Sequence, residues 1–458
     1  MQLALALLAA VAATAWLGPR AIRPRPQPLA LAGLVALLLF AAWTGASLIW
    51  SVAPDRTWSE LNRALAYALV VGVAFALGSG LPRALERLAA GWLVIATAVA
   101  LYALAGNVVP GVVDHATAIA RLRAPLEYWN ALALVCVLAA PIALRFATAR
   151  DLRPGWRAAS LVALVLLLAC LGMTYSRGGF VALAVTLLAV TIAGGERIPG
   201  LIGVLLAAAG AAPALAVAYT VEGIRDNRPP MDEQIEAGLL LGATLAGCCA
   251  LVALAVLGLV RHEHRARWGR RAWAVVAAVA LLAAAGGVAA LAGSERGLTG
   301  TVDHALEGFT TVQRDPIYDP GRLLTVSSGN RWAWWREAVG AYADEPVRGW
   351  GAGSFPVTRR LYRVSTSDVQ RPHSVPLQFL AETGTVGAVL GLGALLLLGA
   401  GAVARVRRLP PGRERDLGGA VVAAAAAWLV HAGIDWDWDI VGVTLPVLAL
   451  VGVAAARP

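Results

Sequence analysis

The chain has 458 residues, of which 59% are hydrophobic and only 14% charged, with a mean hydropathy of +0.69 and a formal charge of +10. Soluble globular chains run at roughly 45–50% apolar and about 25% charged residues, so a soluble domain is excluded. All 38 basic residues are arginine, which excludes a Schiff base or a lysine nucleophile.

Apolar runs of about 18–25 residues, each long enough to cross roughly 30 Å of hydrocarbon, recur from end to end. They predict an all-α polytopic membrane protein with about 12–13 transmembrane helices and one large extracytoplasmic loop. Thirteen spans are read near 1–18, 29–50, 61–79, 85–107, 127–147, 158–175, 178–194, 198–220, 236–260, 272–292, 375–404, 417–434 and 438–456. The resulting organisation is a first helical block over 1–292, the loop over 293–374 and a last helical block over 375–458. Cys136, Cys170, Cys248 and Cys249 lie inside apolar runs without CxxC spacing, which suggests small core residues rather than a zinc or redox site.

Arginine placement sets the orientation. One set of alternate connections holds 21 arginines against six acids, the other 17 against 22. The first set is expected inside, so the N-terminus is expected outside and the C-terminus inside a multi-pass inner (cytoplasmic) membrane protein. The net charge of +10 comes from this asymmetry and is no sign of nucleic acid. A cleaved signal sequence over the first span is the alternative there, against which stands the lack of a basic segment ahead of it.

Within the long loop, Asn330 is placed to cap a helix running to about Ala343, with Arg331, Trp335, Ala338 and Tyr342 on one face. Arg336 stands on the same helix. The following Arg348-Gly349-Trp350-Gly351-Ala352-Gly353-Ser354 lacks the GxxxxGK[ST] pattern of a P-loop. Close backbone packing or a substrate contact at Gly351 are the readings left.

Where the chain re-enters an apolar run it reads His373-Ser374, nine residues, Gly384, two residues, Gly387. Histidine titrates near neutral pH and suits general-base work. Ser374 is placed to cap the next helix, on which Gln378, Glu382 and Thr385 form a polar stripe. An ionisable group at that depth faces a bundle interior or a wet cavity; the alternative for Glu382 is a packing carboxylate with a buried arginine partner. Upstream, Ser176 and Arg177 sit in a tight turn between two spans, and a planar guanidinium fork suits phosphate oxygens. A snorkelling arginine is the bland reading. His431 and the run Asp435-Trp436-Asp437-Trp438-Asp439 suit either sugar binding or an interfacial aromatic belt. Three acids interleaved with indoles are a poor source of near-octahedral oxygen ligands, so no metal is expected.

Three pieces in order resemble the bacterial O-antigen ligase/polymerase family, the Wzy-C-type integral-membrane glycosyltransferases. They are YSRGG at 175–179, GNRWAWWREA at 329–338 running into EPVRGWGAGSF at 345–355, and the His373 motif just described. EYWNALAL at 127–134 looks like the family's aromatic-Asn helix start. The chain departs in having Ser374 where many members carry asparagine, and one span more than the commonest count.

The resemblance implies an enzyme, a glycosyltransferase acting as ligase or polymerase on a polyprenyl-diphosphate-linked glycan at the outer face of the membrane. His373 matches the family's essential histidine, and Arg177 and Arg331 its two arginines. Ser176, Arg336, Trp335, Gly351, Gln378, Glu382 and Asp435 are the expected substrate contacts. The partners are the lipid-linked donor, a glycan, lipid or protein acceptor, and membrane lipids, with no cofactor. A polytopic transporter or flippase without transferase chemistry is the competing class; it predicts charges deep within several spans rather than gathered at one face.

Overall fold

The computed structural model describes residues 10–14, 16, 24–112, 121–193, 197–226, 229–262, 297–311, 319–363 and 368–457. Within them the elements are all helical, and the chain is an all-α polytopic membrane protein. The helices are α1 (Pro28–Ala46), α2 (Pro54–Gly80), α3 (Ala84–Val108), α4 (Trp129–Thr148), α5 (Pro154–Met173), α6 (Arg177–Ala193) and α7 (Arg197–Thr220). They continue as α8 (Met231–His262), α9 (Gly297–Thr310), α10 (Arg331–Asp344), α11 (Val375–Arg408), α12 (Arg413–Ile434) and α13 (Val441–Ala455).

Eleven of the thirteen expected spans coincide with these helices. Among the described residues nine are long and apolar enough to cross a membrane, and α6 and α13 are shorter apolar helices. The expected span over 272–292 and most of that over 1–18 lie outside the described residues.

The helix starts follow from local sequence. Pro28, Pro54 and Pro154 stand in the first turns of α1, α2 and α5, where a missing N–H costs nothing. Gln27 caps α1 by accepting from the N–H groups of Leu29 and Ala30. Helix α4 is apolar all round and 94% of its membrane window is buried, so it forms the centre of the bundle. Helices α5, α6 and α12 pack around it, and α11 runs along α1. That last contact is close because Gly33 and Gly401 bring backbones together; a Cβ on Gly401 would meet the backbone of Ala30. The four cysteines are unpaired, Cys136 and Cys170 in the core.

The long connection before α11 has its own small core of Ala338, Ala341, Phe355 and Val369, closed by Ala381 of α11. A buried pair, Arg359 and Glu337, joined by two hydrogen bonds at 2.7 and 3.2 Å, ties α10 to the single turn after Ser354. Helix α10 starts at Arg331 as expected, but the Asn330 side chain makes no capping bond. Its buried positions are Glu337, Ala338 and Ala341.

Helix α11 is not continuous. Ser374 caps its start, but Gly384 sits at φ 66°, ψ −171° and breaks the run. There the N–H groups of Thr385 and Val386 turn to the carbonyls of Pro346 and Val347, at 2.8 and 3.3 Å. A Cβ at Gly384 would overlap the Val347 carbonyl oxygen. The glycine of the sequence motif is therefore the point at which the loop docks on the bundle.

Candidate active site

The connections after α3, α5, α12 and before α11 converge at one end of the bundle, around a cavity of about 310 Å³. Arg121, Arg177, Arg322, Arg331, Trp334 and His373 line it.

His373 is held in the left-handed region, at φ 54°. Strained backbone of this kind costs about 1–3 kcal/mol and persists where the surroundings over-determine it. Those surroundings are specific. The carbonyl of His373 accepts from Trp335 Nε1 at 3.1 Å, and its ring lies 4.5 Å from that of Trp334 and 6.2 Å from that of Trp436. Its Nδ1 lies 3.0 Å from the carbonyl oxygen of Arg371. A carbonyl only accepts, so Nδ1 carries the proton and the lone pair sits on Nε2. Burial pushes the His373 pKa down to about 4, and Arg331 adds to this against the opposing effect of Asp435 and the Arg371 carbonyl. The ring is thus a neutral base near pH 7.

Arg371 is itself anchored. Its Nη2 reaches Glu60 of α2 at 2.9 Å and Asp439 at 2.8 Å. Arg63 also contacts Asp439, at 2.5 Å, and pairs with Glu60. Two arginines and two acids share one buried cluster, and it fixes the segment that presents His373.

Close to His373, Arg331 Nη2 donates to Asp435 Oδ2 at 3.1 Å. Burial works against the charge on Arg331, and Asp435 beside it more than compensates. Asp435 is also buried, yet its pKa is held down to about 2, because Arg331, His373 and His431 offset the cost of burial and Tyr128 donates to it. Tyr128 Oη is 2.7 Å from Oδ1, Asn130 Nδ2 is 2.5 Å from Oδ2, and the Trp436 N–H donates at 2.9 Å. Asn130 Oδ1 in turn accepts from Ser176 Oγ at 2.8 Å, and Ser176 Oγ accepts from the Gly179 N–H at 3.1 Å. Ser176 is the cap of α6, and this chain of bonds sets where α6 presents Arg177. Arg177 Nη1 donates to the carbonyl and hydroxyl of Thr325, at 2.8 and 3.1 Å, tying the loop across the cavity mouth.

Two further arginines belong to the cavity and carried no sequence signal of it. Arg322 stands in a single 3₁₀ turn, Pro320–Leu324. Arg121 is 2% exposed. Its Nε donates to the Thr174 carbonyl at 2.6 Å, and its guanidinium lies 3.9 Å over the Trp129 ring.

Of the expected site residues, His373, Arg177 and Arg331 line one cavity, and Asp435 and Ser176 stand directly behind it. Trp335 reaches His373 through the backbone. The rest lie elsewhere. Arg336 is exposed on another face of α10 and does not line the cavity. Gly351, at φ 100°, packs on Ser51, and its N–H donates to the Glu382 carbonyl at 2.8 Å. The Glu382 carboxylate is buried in the bundle interior, and among the described residues no arginine hydrogen-bonds to it. It accepts from the N–H groups of Gly353 and Phe355 at 2.9 and 3.2 Å, and from Gln378 at 3.5 Å. These residues seat the glycine-rich stretch on α11.

The run of acids divides its work: Asp435 serves Arg331, Asp437 pairs with His431 at 2.7 Å, and Asp439 serves Arg63 and Arg371. Among the described residues no cluster of His, Cys, Asp and Glu has the geometry of a metal site.

Residues 237–392 match the O-antigen ligase family model, Wzy_C. The match takes in about a third of the chain, and that stretch is similar to O-antigen ligases. No curated protein matches the chain. The O-antigen ligase match takes in Arg331, His373 and the Gly384 docking point, whereas Arg121, Arg177 and Asp435 lie outside it and join the site through the fold. The similarity associates this multi-pass membrane protein with the joining of glycans in general.

Proposed function

We propose that the protein is a glycosyltransferase that moves a glycan from a polyprenyl diphosphate carrier to an acceptor hydroxyl at the outer face of the cytoplasmic membrane. His373 Nε2 accepts the proton of the acceptor hydroxyl as its oxygen attacks the anomeric carbon. The bond from that carbon to the phosphate oxygen breaks, and the electron pair leaves with the diphosphate. The leaving group gains negative charge in that step, where fixed cations stabilise the transition state more than the ground state. Arg331, Arg177, Arg121 and Arg322 are those cations. Asp435 keeps Arg331 in place, and the Arg371 carbonyl keeps the His373 lone pair on Nε2.

The observation that carries this reading is the His373 imidazole, its Nδ1 held by the Arg371 carbonyl, lining one cavity with four arginines. Acid–base catalysis is worth about 10²–10⁴-fold. Purified protein in lipid nanodiscs, supplied with a polyprenyl diphosphate glycan and an acceptor, is expected to lose transfer by at least about 100-fold in His373→Ala and His373→Gln. Turnover at the wild-type rate in both variants would remove His373 from the chemistry.

A further inference from the structure

The end of the bundle opposite the candidate active site holds two adjoining cavities that share Glu86 and Arg413 in their walls. The first, of about 610 Å³, is a groove between α3 and α5. Glu86, Ala90, Leu93, Thr97 and Leu101 form its α3 wall, one stripe at helical spacing. The stripe covers roughly 22 Å of helix axis, more than half of a hydrocarbon layer about 30 Å thick. Thr97 and Ser160 donate their hydroxyls to the carbonyls of Leu93 and Trp156, at 2.7 and 2.9 Å, so neither is left to a ligand. Exposed Trp156 stands at the charged end of the groove, and tryptophan favours the membrane–water interface.

The second cavity, of about 370 Å³, is lined by Arg83, Glu86, Asp151, Arg413 and Glu414. Arg413 donates to Glu86 at 2.6 Å and to Asp151 at 3.0 Å, and its Nε is buried without a partner. Arg83 is held in the left-handed region, at φ 56°. Arg405 reaches Glu414 from outside the lining, at 3.7 Å. Three cations thus meet three carboxylates where an apolar groove opens.

We propose that the two cavities form a binding site for one phospholipid whose headgroup carries a primary ammonium, as in phosphatidylethanolamine. One acyl chain lies between α3 and α5, the phosphate meets Arg83 and Arg413, and the ammonium meets Asp151 and Glu414. Lipid tails are as apolar as the groove, so the groove accepts a chain and the charges select the headgroup. An anionic headgroup answers the arginines and leaves the carboxylates facing a like charge. A quaternary ammonium has no N–H to give them, whereas a primary ammonium makes charge-assisted bonds.

The test is native mass spectrometry of the full-length protein released from nanodiscs of equal parts phosphatidylethanolamine, phosphatidylglycerol and phosphatidylcholine, all with the same acyl chains. Wild type is expected to retain phosphatidylethanolamine over each of the others by about tenfold. Asp151→Asn combined with Glu414→Gln is expected to bring that preference within about twofold. Ala98→Phe and Ala159→Phe, at exposed alanines on the two walls of the groove, are each expected to end the retention, and either carries the test if the other does not fold. Ile95→Phe, exposed on α3 outside the groove lining, is expected to keep it. Retention by wild type in the proportions of the nanodisc, or a preference for either other lipid, would overturn the site. So would a preference that both phenylalanine fillings leave unmoved. Transfer is not measured, so either result leaves the transferase reading untouched.

Discussion

At the scale of single residues, the site works by fixing two states in advance: a neutral imidazole and a charged guanidinium. His373 has its tautomer set by the Arg371 carbonyl and its protonation set by burial. The consequence is a displaced acid limb. A general base works only when unprotonated, and kcat/KM reports the free enzyme. With the His373 pKa pushed down to about 4, the base stays neutral as pH falls through the ordinary histidine range and is lost only near the lower value. The kcat/KM for transfer is therefore expected to be flat from about pH 8 down to about pH 5, where an unperturbed histidine titrates near 6.5. The carrier's anionic charge favours the protonated ring, so the limb in kcat is expected at higher pH than that in kcat/KM. A kcat/KM profile that halves near pH 6.5 would show that the imidazole is solvated and unshifted. Asp435, held near pKa 2, remains ionised across the whole range and so contributes no limb of its own.

At the scale of elements, the decisive feature is the break in α11. Its two parts do different jobs: Val375–Thr383 carries the residues that seat the loop, and the part after Gly384 is a membrane span. Gly384→Ala meets two costs at once, a left-handed φ and a Cβ against the Val347 carbonyl. The first alone is about 1–3 kcal/mol, and the second forces the loop off its docking edge. The variant is expected to melt at least about 1–3 °C lower and to lose transfer, whereas Gly393→Ala, whose Cβ meets open space, is expected to change neither. An unaltered melting profile for Gly384→Ala would mean that the loop does not depend on this edge.

This break also marks where sequence reading stopped. The spans were legible because apolar length is a property of each segment alone. The Ser374 cap was legible because its partner, the Leu377 N–H, is three residues away. Gly384 was visible in the motif, but the hydrophobic pattern runs straight through it, so nothing local announced a kink. Glu382 was rightly seen as buried. Its partners, however, are backbone N–H groups of 353 and 355, and no side-chain pattern encodes those. Arg121 was invisible for the same reason: its place is set by carbonyls of 174 and 175, across the bundle.

At the scale of the whole molecule, the charge asymmetry and the ion pairs agree through independent routes. Arg413 bonds Glu86 and Asp151, and Arg145 bonds Asp416. All five groups come from connections that the arginine count assigns inside. Arg457 N–H meets the Arg25 carbonyl, which brings the segments before α1 and after α13 to that same side. Arg331 with Asp435, and Arg371 with Glu60 and Asp439, join groups assigned outside. A miscounted span between any two of these connections would have parted such a pair, so the alternation of sides holds along the described helices. Which side faces the cytoplasm then rests on the arginine excess alone. Leu324, 91% exposed in the loop beside the cavity, and Pro411, exposed between α11 and α12, are suited to test it. In intact protoplasts a membrane-impermeant maleimide is expected to label Leu324→Cys and to label Pro411→Cys only after lysis. The parent protein provides the background, since Cys136 and Cys170 are buried and Cys248 and Cys249 lie within the apolar α8. Labelling of Pro411→Cys in intact cells, with Leu324→Cys protected, would place the cavity on the cytoplasmic side and require a donor that has not yet crossed the membrane.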